Sequence, residues 1–262
     1  MNTVNKSLKI LSIGNSFSVD TMHHLPALAS ALGFTEIVLG NLFVGGCSLN
    51  RHFHHAKNDL PAYKYYRSDG GAWSETPDVR ISDAIREADW DVISIQHGTK
   101  DGSRYTDPAS YEKLPALVRY VRERAPKHTK IAFNMTWVGE PYHHHEEIRA
   151  YGGDQMLIYR KIAALTSTLV RSTEGLDLIS PTGTAIQNAR TTALANFLSR
   201  DGYHLSYGTG RYIASLTFLS ALTGTDISGV TWKPESTDDE GRRIAIAAAE
   251  RAVREPFRVT EL

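Results

Sequence analysis

Gly14-Asn15-Ser16 follows a short β-branched run, and Asp201-Gly202-Tyr203-His204 lies near the far end of the chain. A hydroxyl at a strand-to-helix turn, with a later aspartate and histidine, supplies the three parts of a nucleophilic hydrolase. Serine attacks only when a neighbouring base takes its proton, and a histidine base needs an acid to fix its tautomer. An aspartate three residues before a histidine in one turn reaches the same neighbourhood as that histidine. The negative oxygen formed by attack needs fixed donors. The Ser16 backbone N–H, a glycine N–H after the second strand-like run and one side-chain amide would serve. The same residues also admit a plainer reading, in which Asn15 caps a helix and Asp201-Gly202 is an ordinary turn.

These residues need elements to hold them, and the hydrophobic pattern supplies a series. Strand-like runs occur at Lys9–Ile13, Glu36–Asn41, Asp91–Gln96, Lys130–Met135 and Leu176–Ser180. Between them lie helical patterns around Leu25–Leu32, Pro108–Arg124, Asp154–Val170 and Thr184–Leu198, with closing helices at Tyr212–Leu222 and Arg242–Val253. Such alternation implies right-handed crossovers and a largely parallel sheet between helical layers. The expected fold is a single α/β domain over residues 1–262, a three-layer α/β/α sandwich on a five-stranded sheet. Residues 50–80 are polar and aromatic with no clean period, and read as a surface excursion near the site. In open α/β sheets ligands bind beyond the carboxyl ends of the strands. Gly14-Asn15-Ser16, Gly45-Gly46-Cys47, Gln96-His97-Gly98 and Thr136-Trp137 all fall there.

Composition narrows the class. The 262 residues include 29 Lys plus Arg and 29 Asp plus Glu, and this zero balance argues against a nucleic-acid binder. Apolar residues at 41% and charged residues at 22% exclude a disordered chain. The single cysteine, Cys47, allows neither an internal disulfide nor a cysteine-based zinc site. No run approaches the roughly 18 apolar residues of a membrane span. No apolar leader precedes the first strand-like run, so a cytoplasmic protein is expected. Neither Gly-x-x-x-x-Gly-Lys-Ser/Thr nor Gly-x-Gly-x-x-Gly is present, which disfavours nucleotide chemistry.

Other chemistry-bearing residues have bland and functional readings. His143-His144-His145 before Glu146-Glu147 suits a solvated loop, since consecutive residues converge poorly on one metal ion. His23 and His24 fit packing or surface. His52 and His54 follow the Gly45-Gly46 loop and are candidate substrate contacts. His97 is an alternative base without the Asp-x-x-His context, and Cys47 suits a packed thiol. Trp137, with Tyr63, Tyr65, Tyr66, Trp73 and Tyr142, gives the loops aromatic faces suited to a sugar.

Gly14-Asn15-Ser16-Phe17-Ser18 resembles the first block of the SGNH (GDSL-like) hydrolases, with Asn15 in place of the usual aspartate. Asp201-Gly202-Tyr203-His204-Leu205-Ser206 resembles their terminal Asp-x-x-His block. Within that superfamily the chain is most similar to a bacterial branch of unknown function whose first block reads Gly-Asn-Ser-Phe. The resemblance spans nearly the whole chain and implies an SGNH/flavodoxin-like fold. It makes Ser16 the nucleophile, His204 the general base, Asp201 the orienting acid and Gly46 an oxyanion donor, with Gly45 as the one-residue alternative. The third block departs: a Gly-x-Asn-Asp pattern reads Gly98-Thr99-Lys100-Asp101 here, so the asparagine donor is missing. Gln96 at the strand end is the favoured replacement, and Lys100 the alternative. The implied activity is hydrolysis of a short acyl ester, an acetyl on a carbohydrate being one candidate, with no metal or cofactor required. A non-catalytic carbohydrate-binding protein and a lipid-ester hydrolase on the same fold are the competing readings.

Overall fold

The apolar runs that alternate along the N-terminal half become strands that bury side chains on both faces. The computed structural model describes residues 6–195 and 197–262. Its strands are β1 (Ser7–Gly14), β2 (Glu36–Phe43), β3 (Tyr63–Ser68), β4 (Ser74–Val79), β5 (Val92–Gln96), β6 (Lys130–Asn134) and β7 (Leu178–Ser180). Its helices are α1 (Ser16–Met22), α2 (Leu25–Ala31), α3 (Leu49–Lys57), α4 (Ile81–Arg86), α5 (Leu114–Arg122), α6 (Glu146–Ala150), α7 (Gln155–Ser172), α8 (Thr182–Ala189), α9 (Thr209–Thr223) and α10 (Asp239–Arg254).

The strands form one sheet in the order β4-β3-β2-β1-β5-β6-β7. From β2 to β7 every pair is parallel, which is the expected five-stranded core. β3 and β4 add an antiparallel edge, so the sheet has seven strands rather than five. The segment read as an excursion is therefore largely the sheet edge itself. Its sequence hid this because β4, Ser-Glu-Thr-Pro-Asp-Val, is exposed along nearly its whole length. Charges and proline are what an unpaired edge tolerates, and they erase the alternating pattern.

Strand alternation divides the core in two. Leu8, Ile10, Leu39 and Val92 face one side, with Phe17 and Met22 of α1 and the inner faces of α2 and α7 to α10. Leu11, Ile13, Leu42, Ile93 and Ile95 face the other, against α3 to α5.

Several helices differ from expectation. The pattern from Pro108 to Arg124 splits into a 3-10 turn, Pro108–Tyr111, and α5. Pro115 lies in the first turn of α5, where its missing N–H costs nothing. The helix expected to reach Leu198 ends at Ala189. Residues 191–195 form turns, and an isolated bridge joins Ser199 and Leu205. α1 and α3 escaped detection, because seven and nine mostly polar residues are too few to display a period. No helix among the described residues is long and apolar enough to cross a membrane.

Candidate active site

β1 lies between β2 and β5; the chain leaves β1 onto one face of the sheet, through α1, and leaves β5 toward the other, through α5, so a crevice opens at their carboxyl ends. Ser16, the first residue of α1, stands at that point. Asn15 caps the helix, its Oδ1 accepting the Phe17 N–H at 2.9 Å. Its Nδ2 donates to the carbonyls of His97 at 3.1 Å and Cys47 at 3.4 Å. One side chain thus ties together the loops after β1, β2 and β5. Aspartate has no hydrogens to offer those two carbonyls, which explains an asparagine here.

His204 Nε2 lies 2.9 Å from Ser16 Oγ, and His204 Nδ1 lies 2.7 Å from Asp201 Oδ2. The three residues expected to act together are therefore brought together. The other Asp201 oxygen accepts the backbone N–H groups of Tyr203 at 2.9 Å and His204 at 2.7 Å. Partial burial alone would raise the Asp201 carboxyl. The N–H and ring of His204, together with the Tyr203 N–H, outweigh it and hold the group at about 2. A carboxylate so fixed keeps the imidazole proton on Nδ1 and leaves Nε2 to take a proton from Ser16.

The 201–204 turn is held from three directions. Trp137 Nε1 donates to the Tyr203 carbonyl at 2.9 Å, and the Glu140 N–H donates to the Gly202 carbonyl at 2.6 Å. Asp20 of α1, fully enclosed, accepts the Leu205 N–H and is bound by Arg200 and Arg211. Asp20 was not expected from the sequence. Its signal is a carboxylate four residues after Ser16, one helical turn away.

The remaining candidates separate. Gly46 adopts φ +63°, and its N–H has no protein acceptor among the described residues. Gln96 is completely buried, with its side-chain nitrogen and oxygen both sealed from solvent and unbonded. A donor that water cannot touch is not open to a substrate oxygen either, so the expected role of Gln96 is corrected. His52 and His54 are also corrected. Ser48 caps α3 immediately after the glycine loop and carries the chain to the opposite face of the sheet. There His52 is buried 2.8 Å from the Tyr63 hydroxyl, and exposed His54 meets Asn58 of its own helix. Trp137, 1% exposed, stacks on Phe17 at 4.0 Å, so it supports the site from beneath rather than offering a face to sugar.

His97 is buried and its ring is pushed down to about 3 by desolvation, which disqualifies it as a base near neutrality. Burial likewise raises the Cys47 thiol to about 12, far from a nucleophilic thiolate. The rings of His143 and His145 stack on Tyr203, with centroids at 5.1 and 4.9 Å, beside His204. Among the described residues, no group of three or more His, Cys, Asp or Glu is arranged to hold a metal ion.

No curated protein matches the chain. A DUF4886 family protein from Bacteroides uniformis ATCC 8492 superposes with a TM-score of 0.92 at 37% identity, over 98% of each chain. An acetylxylan esterase from Geobacillus stearothermophilus superposes with a TM-score of 0.52 at 14% identity, over 84% of this chain and 96% of that one. The second likeness is one of fold. The model of the domain of unknown function DUF4886 matches residues 9–252, and with the Bacteroides relative it shows that the chain belongs to the DUF4886 family.

Proposed function

We propose that this protein is a serine esterase of the SGNH type acting on a short acyl ester, with acetylated carbohydrate as the substrate class. The observation that carries this reading is the hydrogen-bonded series Ser16 Oγ, His204 Nε2, His204 Nδ1 and Asp201 Oδ2, at 2.9 and 2.7 Å. A protein that only bound carbohydrate would have no use for that order of groups.

In the proposed reaction Ser16 Oγ bonds to the ester carbonyl carbon as its proton passes to His204 Nε2. The carbonyl π pair moves onto oxygen, where the Ser16 and Gly46 N–H groups receive it. Collapse expels the alcohol, which takes the proton from His204 and leaves an acyl-serine. Water, deprotonated by His204, then releases the acid and restores Ser16. Asp201 remains ionised and steadies the imidazolium.

The likeness of fold to an acetylxylan esterase supports the substrate class, and solved forms of that esterase include catalytic mutants at a serine and at a histidine. The test is hydrolysis of p-nitrophenyl acetate, followed by acetylated xylo-oligosaccharides, by wild type, Ser16→Ala and His204→Ala. Turnover by the wild type and its collapse in both variants is expected. A Ser16→Ala protein with full activity sinks the mechanism.

A further inference from the structure

The Ser16 and Gly46 N–H groups make two oxyanion donors, and the sealed Gln96 cannot be the third. Building on the esterase reading above, we infer that the third donor is the side-chain hydroxyl of Thr99.

Its neighbours place Thr99 beside the glycine loop. Gly98 packs so closely there that a Cβ would lie 2.4 Å from the Cys47 carbonyl oxygen and 2.5 Å from that of Gly46. On the other side, the Lys100 N–H donates to the Gly46 carbonyl at 3.0 Å. Thr99 Oγ1 in turn lies 3.4 Å from the Tyr203 hydroxyl, and the Tyr203 ring meets the His204 ring edge-on at 5.5 Å. Thr99 thus sits between the glycine loop, which its two chain neighbours touch, and Tyr203, the residue before His204, which its side chain meets.

The direction of its proton follows from a histidine tautomer. The Glu147 N–H donates to His145 Nδ1 at 3.3 Å, so that nitrogen carries a lone pair. With Nδ1 accepting, the ring's proton stands on Nε2, and burial shifts the His145 ring down from its ordinary value, against the charged form. Nε2–H then donates to Thr99 Oγ1 at 3.0 Å. Thr99 accepts in that bond and retains its own hydrogen. The Tyr203 oxygen at 3.4 Å is a poor acceptor for it, since hydroxyl pairs prefer roughly 2.5–3.0 Å. Tyr203 also lies closer to the Tyr105 hydroxyl, at 3.2 Å. The Thr99 hydrogen is therefore held ready without a strong partner, as a donor to a developing alkoxide must be.

Lys100 is the competitor. Its exposed stem runs along Gly46, with Cγ 2.9 Å from where a Gly46 Cβ would stand. An ammonium on four rotatable carbons is poorly pre-organised, however, whereas Thr99 is fixed through His145.

The test uses p-nitrophenyl acetate kinetics and covalent labelling of Ser16 by a fluorophosphonate. Thr99→Val is expected to lower kcat by about 10²-fold with KM nearly unchanged, and to slow labelling in parallel. Thr99→Ser restores most of the rate, which separates the hydroxyl from the packing of the side chain. Lys100→Met is expected to change kcat far less than Thr99→Val. Should Thr99→Val misfold by thermal melting, Thr99→Ala against Thr99→Ser gives the same comparison, and failure of serine to restore the rate overturns the inference. Wild-type rates in Thr99→Val, or a collapse confined to Lys100→Met, overturn it while leaving the esterase reading intact. A wild type that neither hydrolyses esters nor takes the fluorophosphonate overturns both.

Discussion

Asp20 accepts the Leu205 backbone N–H at 2.8 Å, one helical turn beyond Ser16 and one residue beyond His204. The helix that bears the serine therefore grips the turn that bears the histidine. Two cations balance the buried carboxylate: Arg200, whose Nη1 lies 3.0 Å from Oδ1, and Arg211, whose Nε lies 2.8 Å away. Arg200 itself belongs to the gripped turn, its N–H donating to the His204 carbonyl at 3.0 Å.

Asp20→Asn leaves enclosed Arg211 and partly exposed Arg200 without their counter-charge. Breaking a buried ion pair by removing one partner costs about 3–5 kcal/mol. Urea unfolding is expected to show that loss, and kcat is expected to fall further than KM changes, because the Ser16–His204 distance is no longer enforced. An Asp20→Asn protein of wild-type stability and rate would contradict this account.

Asn15→Asp introduces the residue usual in the first block of SGNH hydrolases and is nonetheless expected to do harm. The cap on the Phe17 N–H survives, but the carbonyls of His97 and Cys47 lose their donor and face a carboxylate. Leaving buried polar groups unpaired costs about 1–3 kcal/mol each. Melting temperature and esterase rate should both drop, and an unaffected variant would show that Asn15 does not join the three loops.

Gly98→Ala should be worse than Gly46→Ala. At Gly98 the new methyl meets two backbone oxygens, at 2.4 and 2.5 Å, which cannot move without shifting the Gly45-Gly46-Cys47 loop. At Gly46 it meets the flexible stem of Lys100, and the left-handed backbone adds about 1–2 kcal/mol. Parallel thermal melts and kcat values for the two variants decide the order.

Stability should decline as pH falls below about 6.5, the ordinary histidine value. Burial pushes His52 and His97 down to about 3, so the unfolded chain takes up protons that the folded chain refuses. Each histidine then removes about 1.4 kcal/mol per pH unit between those two values. Asp201, depressed to about 2, acts in the same direction over a lower window: its contribution is intact above about pH 4 and is lost in stronger acid. Urea unfolding at pH 7, 6, 5 and 4 should give a shallower slope for His97→Gln than for wild type. Equal slopes would place the refused proton elsewhere.

The parallel core was legible because Lys9–Ile13, Asp91–Gln96 and Lys130–Met135 are apolar on both faces, and such runs bury wherever they fall. The edge was not, because Lys64, Glu75 and Asp78 are compatible with strand, turn or loop, and only the pairing of β3 with β2 and of β4 with β3 decides among them. The helix expected after Thr184 illustrates the same limit. Its propensity continues past Ala189, but the chain is needed to form the turn that delivers Asp201 and His204.

That Ser16, Asp201 and His204 belong together was readable from the sequence by itself, since a hydroxyl, a carboxylate and an imidazole suited to one another are defined by residue chemistry and by local spacing. What lies around them was decided only by tertiary structure. Gln96 is an amide at a strand end in the sequence, and whether it meets the crevice or lies sealed depends on what packs over it. His52 and His54 follow the glycine loop closely, yet one cap at Ser48 turns them to the other face of the sheet. Asp20, Thr99 and His145 gain their positions from contacts across dozens to nearly two hundred residues, and no local pattern encodes a distance of that kind.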